Sequence, residues 1–303
     1  MQIGLTSSVA GNPNATLDDM VAEAKRIEEQ GFAFISVPNI FGLDAITALA
    51  VIGRETERIE LATGVVPSPP RHPHALAQQA LTAQAAAKGR FVLGIGLSHQ
   101  IVIETMLGLS YAKPAKQMRE YLQVLMPLVQ GKPAAFEGDL YRVNAGLQVA
   151  GAEPVPVVVA ALGPLMLKVA GRFADGTATW MTGLQTLASH TVPTIRAAAA
   201  EAGRPEPRII GALPVALISD VAKAREVANE SFQIYGTLPS YRAMLDREGA
   251  AGPGDVALVG DEAALRKALG QLRDAGVTHF AAAPFNPEQG AAQRTVEFLK
   301  SEL

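Results

Sequence analysis

Short apolar runs alternate with longer segments of helical spacing along the whole chain. The apolar runs are almost continuously hydrophobic, as in FVLGIG at 91–96 and PVPVVVAA at 154–161. Strands of this kind are covered on both faces, which is typical of a parallel sheet. The strands predicted in this way are Gln2–Thr6, Phe32–Pro38, Ile59–Val66, Phe91–Leu97, Val155–Ala161, Thr177–Met181, Arg208–Ser219 and His279–Pro284.

A helical segment follows each predicted strand. In 16–30 the apolar residues fall on one stripe, which predicts an amphipathic helix. Thr16 with Asp19 forms a capping pair at its start, and Gly31 stands where helices often end in a left-handed residue. Further helices are predicted over 44–56, 73–88, 113–130, 164–174, 185–202, 220–235, 262–275 and 288–301.

Eight βα units in 303 residues predict an α/β fold, a closed (β/α)8 TIM barrel forming a single domain over 1–303. An open doubly wound sheet is the alternative. Three segments are longer than the connections of a minimal barrel require, near 98–112, 131–154 and 236–260. The second contains FEGDLYRV, which predicts a hairpin, and the third contains a short helical stretch. Insertions of this length often form binding loops.

Composition narrows the class of protein. Apolar residues make up 49% and charged residues 18%, with a net charge of −3 and no cysteine. Disulfides and cysteine-ligated metal centres are excluded, and the absence of basic runs argues against nucleic acid and anionic membrane surfaces as partners. The first residues show no signal-peptide pattern, and no apolar stretch approaches the roughly 20 residues of a membrane span. We expect a cytoplasmic enzyme with a small-molecule substrate.

In a TIM barrel the active site forms where the strands end. These positions hold one histidine, few charges and no carboxylate pair, which favours binding of a large planar molecule over acid–base hydrolysis. They are Ser7, Ser8, Asn39, Gly64, Val65, Ser98, His99, Leu162, Gly163, Trp180 and Phe285.

Several of these features have a simpler interpretation. Gly64 suits an ordinary turn, and GIGLSH at 94–99 lacks the third glycine of a dinucleotide-binding motif. AALGP at 160–164 leads from a strand into a helix that begins with proline, which suits either a phosphate or a plain β–α turn. His72 and His74 have the spacing of a metal pair in hydrolytic barrels, but no Asp or Lys partner is evident, so no metal is predicted.

The order of TGVV, RHPHALAQQALTAQAAAKGRFVLGIGLSH and PVPVVVAALGPLMLKVAGRFADG resembles the luciferase-like monooxygenase superfamily. SVPNIFGLDA, ADGTATWMTG and LPSYRAMLDREG are similar to its branch that uses the deazaflavin coenzyme F420. The resemblance implies a bacterial luciferase-like barrel and hydride transfer between F420 and a small unsaturated or carbonyl substrate. It also implies that the protein forms a homodimer. An FMN-dependent monooxygenase and a non-catalytic deazaflavin- or flavin-binding protein are the alternatives.

The resemblance also implies cofactor contacts. A non-prolyl cis peptide at Gly64–Val65 would back the central ring, and the backbone of residues 160–163 would hold the phosphate. The positions implied to bind the cofactor are Asn39, Thr63, Gly64, Val65, Ser98, His99, Ala160, Ala161, Leu162 and Gly163.

The chain departs from the F420-dependent sugar-phosphate dehydrogenases at their acid–base pair. Their Asp-His after the second strand is Asn39-Ile40 here, and His99 stands in place of a carboxylate after the fourth strand. Glucose 6-phosphate is therefore not the expected substrate. His99 is the predicted catalytic proton donor because imidazole titrates near neutrality, with Glu104 and Tyr111 in reserve.

Overall fold

The computed structural model describes residues 1–303 and contains a closed barrel of parallel strands. The barrel consists of eight strands, hydrogen-bonded in the order Gln2–Thr6, Phe34–Val37, Glu60–Thr63, Phe91–Gly96, Val157–Ala160, Gly176–Trp180, Arg208–Leu217 and His279–Pro284, and the last strand pairs with the first. The predicted TIM barrel and all eight predicted strands are confirmed. The strands are β1 (Gln2–Thr6), β2 (Phe34–Val37), β3 (Glu60–Thr63), β4 (Val66–Pro67), β5 (Phe91–Gly96), β6 (Ala134–Glu137), β7 (Arg142–Ala145), β8 (Val157–Ala160), β9 (Gly176–Trp180), β10 (Arg208–Leu217), β11 (Leu258–Gly260) and β12 (His279–Pro284).

The helices surround the barrel, and none has the length and apolar character needed to cross a membrane. They are α1 (Leu17–Glu29), α2 (Ala45–Glu55), α3 (Pro73–Ala86), α4 (Pro114–Val129), α5 (Pro164–Phe173), α6 (Leu184–Thr186), α7 (Val192–Glu201), α8 (Val221–Ser231), α9 (Gln233–Thr237), α10 (Pro239–Glu248), α11 (Pro253–Val256), α12 (Glu262–Asp274) and α13 (Ala291–Ser301). Two π-helical turns, Ile101–Met106 and Leu187–Thr191, complete the helical elements.

Local sequence signals set the ends of α1. Thr16 and Asp19 form the predicted capping box, with each side chain bonded to the other residue's backbone N–H. Gly31 follows the helix with φ +89°, as its position predicts.

Two predicted helices are interrupted. The helix predicted over 185–202 is divided into α6, a π-helical turn and α7, where Pro193 has no N–H for the regular ladder. The helix predicted over 220–235 stops at Ser231, and α9 begins again two residues later.

The three predicted insertions have separate structures. Residues 98–112 contain the first π-helical turn, and 131–154 contain the predicted hairpin, β6 with β7, closed by Gly138 N–H donating to Tyr141 O at 2.9 Å. Residues 236–260 contain α10, α11 and β11, and β11 extends the sheet beside β10.

The base of the barrel, where the strands begin, is filled. A cluster of six buried apolar residues occupies the interior: Phe34, Ala62, Val92, Val158, Ile210 and Ala281. A Cβ on Gly4 would collide with the Phe34 ring, so glycine at this position makes room for it. The guanidinium of Arg208 donates to both carboxylate oxygens of Glu60, at 3.0 and 2.9 Å. This end of the barrel is therefore closed, and a site must lie at the other end.

Candidate active site

The mouth, where the barrel strands end, is walled by small residues on one side. Alternate residues of a strand face the interior, and the inward positions above the base carry Ser36, Gly64, Gly96 and Ala160. A Cβ on Gly96 would lie 2.9 Å from Val65 Cγ2 and 3.1 Å from Ala160 Cβ. Two groups of predicted cofactor residues, those after β3 and those at the end of β8, therefore converge above Gly96.

The backbone at the end of β3 is open to solvent. Gly64 is exposed although its neighbours Thr63 and Val66 are 2% and 0% exposed. The peptide bond between Gly64 and Val65 is cis, as the resemblance implied. The Thr63 hydroxyl donates to Gly94 O and accepts from Gly94 N–H, both at 2.8 Å, so it supports the wall.

The missing side chain of Gly64 would point at Ser36 within the same wall and not into open space. A Cβ at this position would collide with Ser36 Oγ on β2. A larger residue at 64 would therefore disturb the wall itself, and only the backbone of Gly64 is presented to a ligand.

The loop after β2 is braced by its own polar groups. Asn39 is partly exposed, and its Oδ1 accepts from Ala45 N–H at 3.0 Å. Asp44 caps α2 through Thr47 N–H and pairs with Arg71 at 2.7 Å. The amide NH2 group of Asn39 therefore remains as a hydrogen-bond donor at the mouth.

The end of β5 places His99 at the mouth, where the sequence predicts it. Ser98 has φ +61°, a region that non-glycine residues seldom adopt, and its carbonyl accepts from the Tyr111 hydroxyl at 3.1 Å. His99 is partly exposed, with its ring centroid 5.8 Å from that of Tyr241. Burial lowers the pKa of His99 below its ordinary value, so the imidazole is neutral at pH 7.

Glu104 is exposed on the insertion after β5 and serves that insertion. Its carboxylate accepts from Gln100 Nε2 at 2.8 Å and from Tyr111 N–H at 3.3 Å. Through these contacts, Glu104 and Tyr111 hold the loop that carries His99.

The loop after β8 leads into a helix whose N-terminus has no capping side chain. The N-cap of α5 is Gly163, its first residue is Pro164, and its first turn has no acidic residue. A Thr or Asp side chain bonded to the backbone caps α1, α2, α8 and α12, whereas α4, α7, α10 and α13, like α5, have no such cap. A Cβ on Gly163 would meet no heavy atom within 4 Å. Free N–H groups, a positive helix end and open space suit an anion.

His190 fixes this loop, a role that the sequence did not reveal. His190 is 7% exposed and lies in the second π-helical turn. Its Nε2 is 2.9 Å from Leu162 O, and because a carbonyl only accepts, Nε2–H is the donor. Of the predicted phosphate-binding residues, Ala161 is buried, whereas Ala160, Leu162 and Gly163 are partly exposed.

The insertion after β10 brings in aromatic residues that the sequence did not single out. Tyr235 and Tyr241 lie 4.9 Å apart between ring centroids, and Trp180 at the end of β9 lies 5.8 Å from Tyr235. Met181, the next residue, has φ +53°. The motif LPSYRAMLDREG marks this segment, but nothing in the chain order shows that it returns to His99.

The hydrolase alternative finds no support in the side chains. No group of three or more His, Asp or Glu residues is arranged to hold a metal ion. His72 instead caps α3, where its Nδ1 accepts from His74 N–H at 3.3 Å.

Two surface clefts lie away from the mouth. One of about 530 Å³ runs along the polar face of α8, and one of about 420 Å³ lies between α1 and α13. The second has Glu23 in its wall, whose carboxylate accepts from Ser7 Oγ at 2.5 Å and Ser8 N–H at 2.9 Å. Neither cleft contains a predicted cofactor residue.

The family model described as luciferase-like monooxygenase matches residues 2–298, and the chain belongs to this family. The F420-dependent glucose-6-phosphate dehydrogenase of Nakamurella multipartita is 33% identical over 162 residues, covering 52% of this chain and 48% of that protein. The chain spans between about half and about two thirds of the length of the first curated relatives, 48% to 65%.

Two solved structures show the same fold at low sequence identity. The coenzyme F420-dependent tetrahydromethanopterin reductase from Methanopyrus kandleri has a TM-score of 0.81 at 20% identity, covering 100% of this chain and 98% of that one. The oxygenating constituent of 3,6-diketocamphane monooxygenase from Pseudomonas putida, in complex with FMN, has a TM-score of 0.78 at 17% identity, covering 100% and 97%.

Proposed function

We propose that this protein is an oxidoreductase that binds coenzyme F420 at the mouth and transfers a hydride between it and a small unsaturated or carbonyl compound. The observation that carries the proposal is the convergence of Val65 and Ala160 above Gly96, next to the uncapped start of α5. Relatives named as F420-dependent oxidoreductases support the choice of cofactor. FMN, held by a structural relative, is the alternative.

The residues present fit such a cofactor. The exposed backbone of Gly64 and the side chain of Val65 would back the ring system, and Ser98 and Asn39 would contact the ribityl chain. The N–H groups at the start of α5 would bind the phosphate, with the open space at Gly163 admitting it.

The deazaflavin, when bound, supplies an electron pair as hydride. The chain's own task is to hold the ring and the substrate in contact and to keep water away. In its protonated form, His99 would supply the proton that balances hydride delivery to a carbonyl or conjugated carbon. Because burial lowers its pKa, the protonated fraction of His99 rises only as the pH falls below neutrality.

Carboxylates near the mouth are already bonded within the protein. Glu23 accepts from Ser7 and Ser8, and Asp44 pairs with Arg71. The geometry therefore does not support a pair of free carboxylates for hydrolysis, and the absent Asp-His after β2 does not support sugar-phosphate oxidation.

Turnover with the two candidate cofactors tests the proposal. Reduced F420 is mixed with the protein and a panel of enones and ketones, and recovery of the oxidised cofactor's absorbance is followed. We expect oxidation that depends on both protein and substrate. Oxygen consumption with reduced FMN, and none of this F420 oxidation, would instead establish the monooxygenase. F420 binding without turnover on any compound would favour the non-catalytic alternative.

A further inference from the structure

Six side-chain rings form a continuous series around one side of the mouth, here called the aromatic arc. Successive ring centroids are 4.9 to 6.0 Å apart, and the rings meet edge to face or tilted. In order of contact the arc consists of His99, Tyr241, Tyr235, Trp180, Phe232 and Phe285.

The arc is carried by the ends of three barrel strands and by one insertion. His99 follows β5, Trp180 ends β9, and Phe285 follows β12. The other three rings belong to the segment after β10 that contains α9 and α10. Trp180 lies two residues beyond the interior residue Ala178 on β9, so it too faces into the barrel.

The arc and the small-residue wall occupy opposite parts of the mouth. The wall lies on β2, β3, β5 and β8, whereas most of the arc lies over β9, β10 and β12. Tyr235, Tyr241 and Trp180 all keep part of their surface exposed. These rings therefore offer aromatic surface on the part of the mouth away from Val65.

Three of the four charged side chains on α10 are engaged away from the rings, and the fourth, Arg247, is exposed. Arg242 donates to Asp246 at 2.8 Å and to the carbonyls of Ala250 and Ala251 at 2.6 and 2.9 Å. Glu248 accepts from Gln185 N–H at 3.0 Å and from Thr186 at 2.7 and 2.6 Å. The arc itself is neutral at pH 7, because burial raises the pKa of both tyrosines and lowers that of His99.

We propose that the aromatic arc is the substrate-binding wall and that it selects flat, uncharged, conjugated carbonyl compounds over anionic ones. This inference rests on the proposed function and names the substrate class of the same site. Aromatic faces and edges bind planar apolar molecules, whereas a carboxylate placed among them loses its hydration without gaining a partner.

Trp180 gives a direct binding signal because it is the only tryptophan of the chain. The probes are benzylideneacetone, an uncharged enone, and trans-cinnamate, which has the same skeleton with a carboxylate in place of the methyl ketone. Each is titrated without cofactor, with free tryptophan correcting for absorption of light by the probe. We expect saturable quenching by benzylideneacetone and at least about tenfold weaker binding of cinnamate. Equal affinities, or no saturable quenching by the enone, would overturn the inference.

Variants distinguish the contribution of the Tyr241 ring to binding from that of its hydroxyl and from an effect on folding. Tyr241→Ala should weaken benzylideneacetone binding by about fivefold, and Tyr241→Phe should retain it within about twofold. Tyr141→Ala is the matched control, since Tyr141 packs edge to face on Tyr121 and His72 outside the mouth. An equal loss in Tyr241→Ala and Tyr141→Ala would contradict the arc as the binding wall.

Measuring F420 affinity distinguishes a failure of this inference from a failure of the proposed function. We expect Tyr241→Ala to bind F420 within about twofold of the unaltered chain, because it leaves Val65 and the start of α5, which would hold the ring and the phosphate, unaltered. Loss of enone binding with F420 binding retained supports the arc. If the unaltered chain binds the enone selectively but no F420, the cofactor assignment fails while the arc stands.

Discussion

The mouth and the base of the barrel each place a histidine against an aromatic ring, with opposite surroundings. At the base, His279 lies 5.7 Å from Phe34, in an interior that apolar side chains fill and Arg208–Glu60 closes. At the mouth, His99 lies 5.8 Å from Tyr241, beside an exposed glycine backbone. Burial lowers the pKa of both histidines. The same contact therefore stabilises the fold at one end and leaves surface for ligands at the other.

The largest effect is expected from removing a buried side chain at the base of the barrel. Phe34→Ala removes a ring that is 1% exposed and should lower the free energy of unfolding by about 3–5 kcal/mol, because the cavity cannot collapse within a closed barrel. Denaturant titration measures the loss, and F420 affinity should stay within about twofold under folding conditions. A loss below about 1 kcal/mol would mean that the base is loosely packed.

The next effect is on chemistry at the mouth. His99→Ala should slow turnover about a hundredfold, the low end for a lost proton donor, and leave the F420 dissociation constant within about twofold. His74→Ala, a histidine on α3, is the matched control and should leave both unchanged. Equal losses of turnover and affinity in His99→Ala would make it a binding residue only.

The dependence of turnover on pH should have a definite direction. Since burial lowers the pKa of His99, turnover limited by its proton should rise as the pH falls below neutrality and level off below that pKa. His99→Gln should flatten the profile. A profile that is unchanged in His99→Gln would assign the proton to another donor.

A smaller effect is expected at the start of α5. Gly163→Val fills open space at an ordinary φ of −77° and should leave the fold intact. It should weaken F420 binding about thirtyfold, or about 2 kcal/mol, by obstructing the phosphate at the helix end. Gly11→Val, another loop glycine with nothing within 4 Å of its Cβ, is the control. Equal F420 affinity in both variants would place the phosphate elsewhere.

The smallest effect concerns His279. Burial, with Arg208 nearby, lowers the pKa of His279 to about 4. The unfolded chain takes up a proton below about pH 6.5 while the folded chain does not, so stability should fall between about pH 6.5 and 4 and stay level below. After allowance for its partial exposure, the loss should be roughly 1–2 kcal/mol relative to His279→Gln. Parallel pH profiles for the two proteins would refute this.

The sequence predicted the barrel because its strands are continuously apolar and its turns carry clear signals. Gly31 and the Thr16–Asp19 pair lie where local chemistry requires them. The break before α7 was missed, since Pro193 within a helical pattern suits the first turn of a helix as well as its interior.

The candidate site was predicted in part. Strand ends, the cis bond at Gly64–Val65 and the start of α5 follow from order along the chain and from the family resemblance. The contact of Tyr241 with His99 and that of His190 with Leu162 depend on how distant insertions fold back. Neither periodicity nor a local motif encodes such contacts, so they required the structure.

Equilibrium titration of the protein with oxidised F420 and, separately, with FMN, followed through Trp180 fluorescence, tests most directly whether the mouth is a deazaflavin site. We expect saturable one-to-one binding of F420, tighter than that of FMN and weakened in Gly163→Val but not in Gly11→Val. Tight FMN binding with no saturable response to F420 would contradict it.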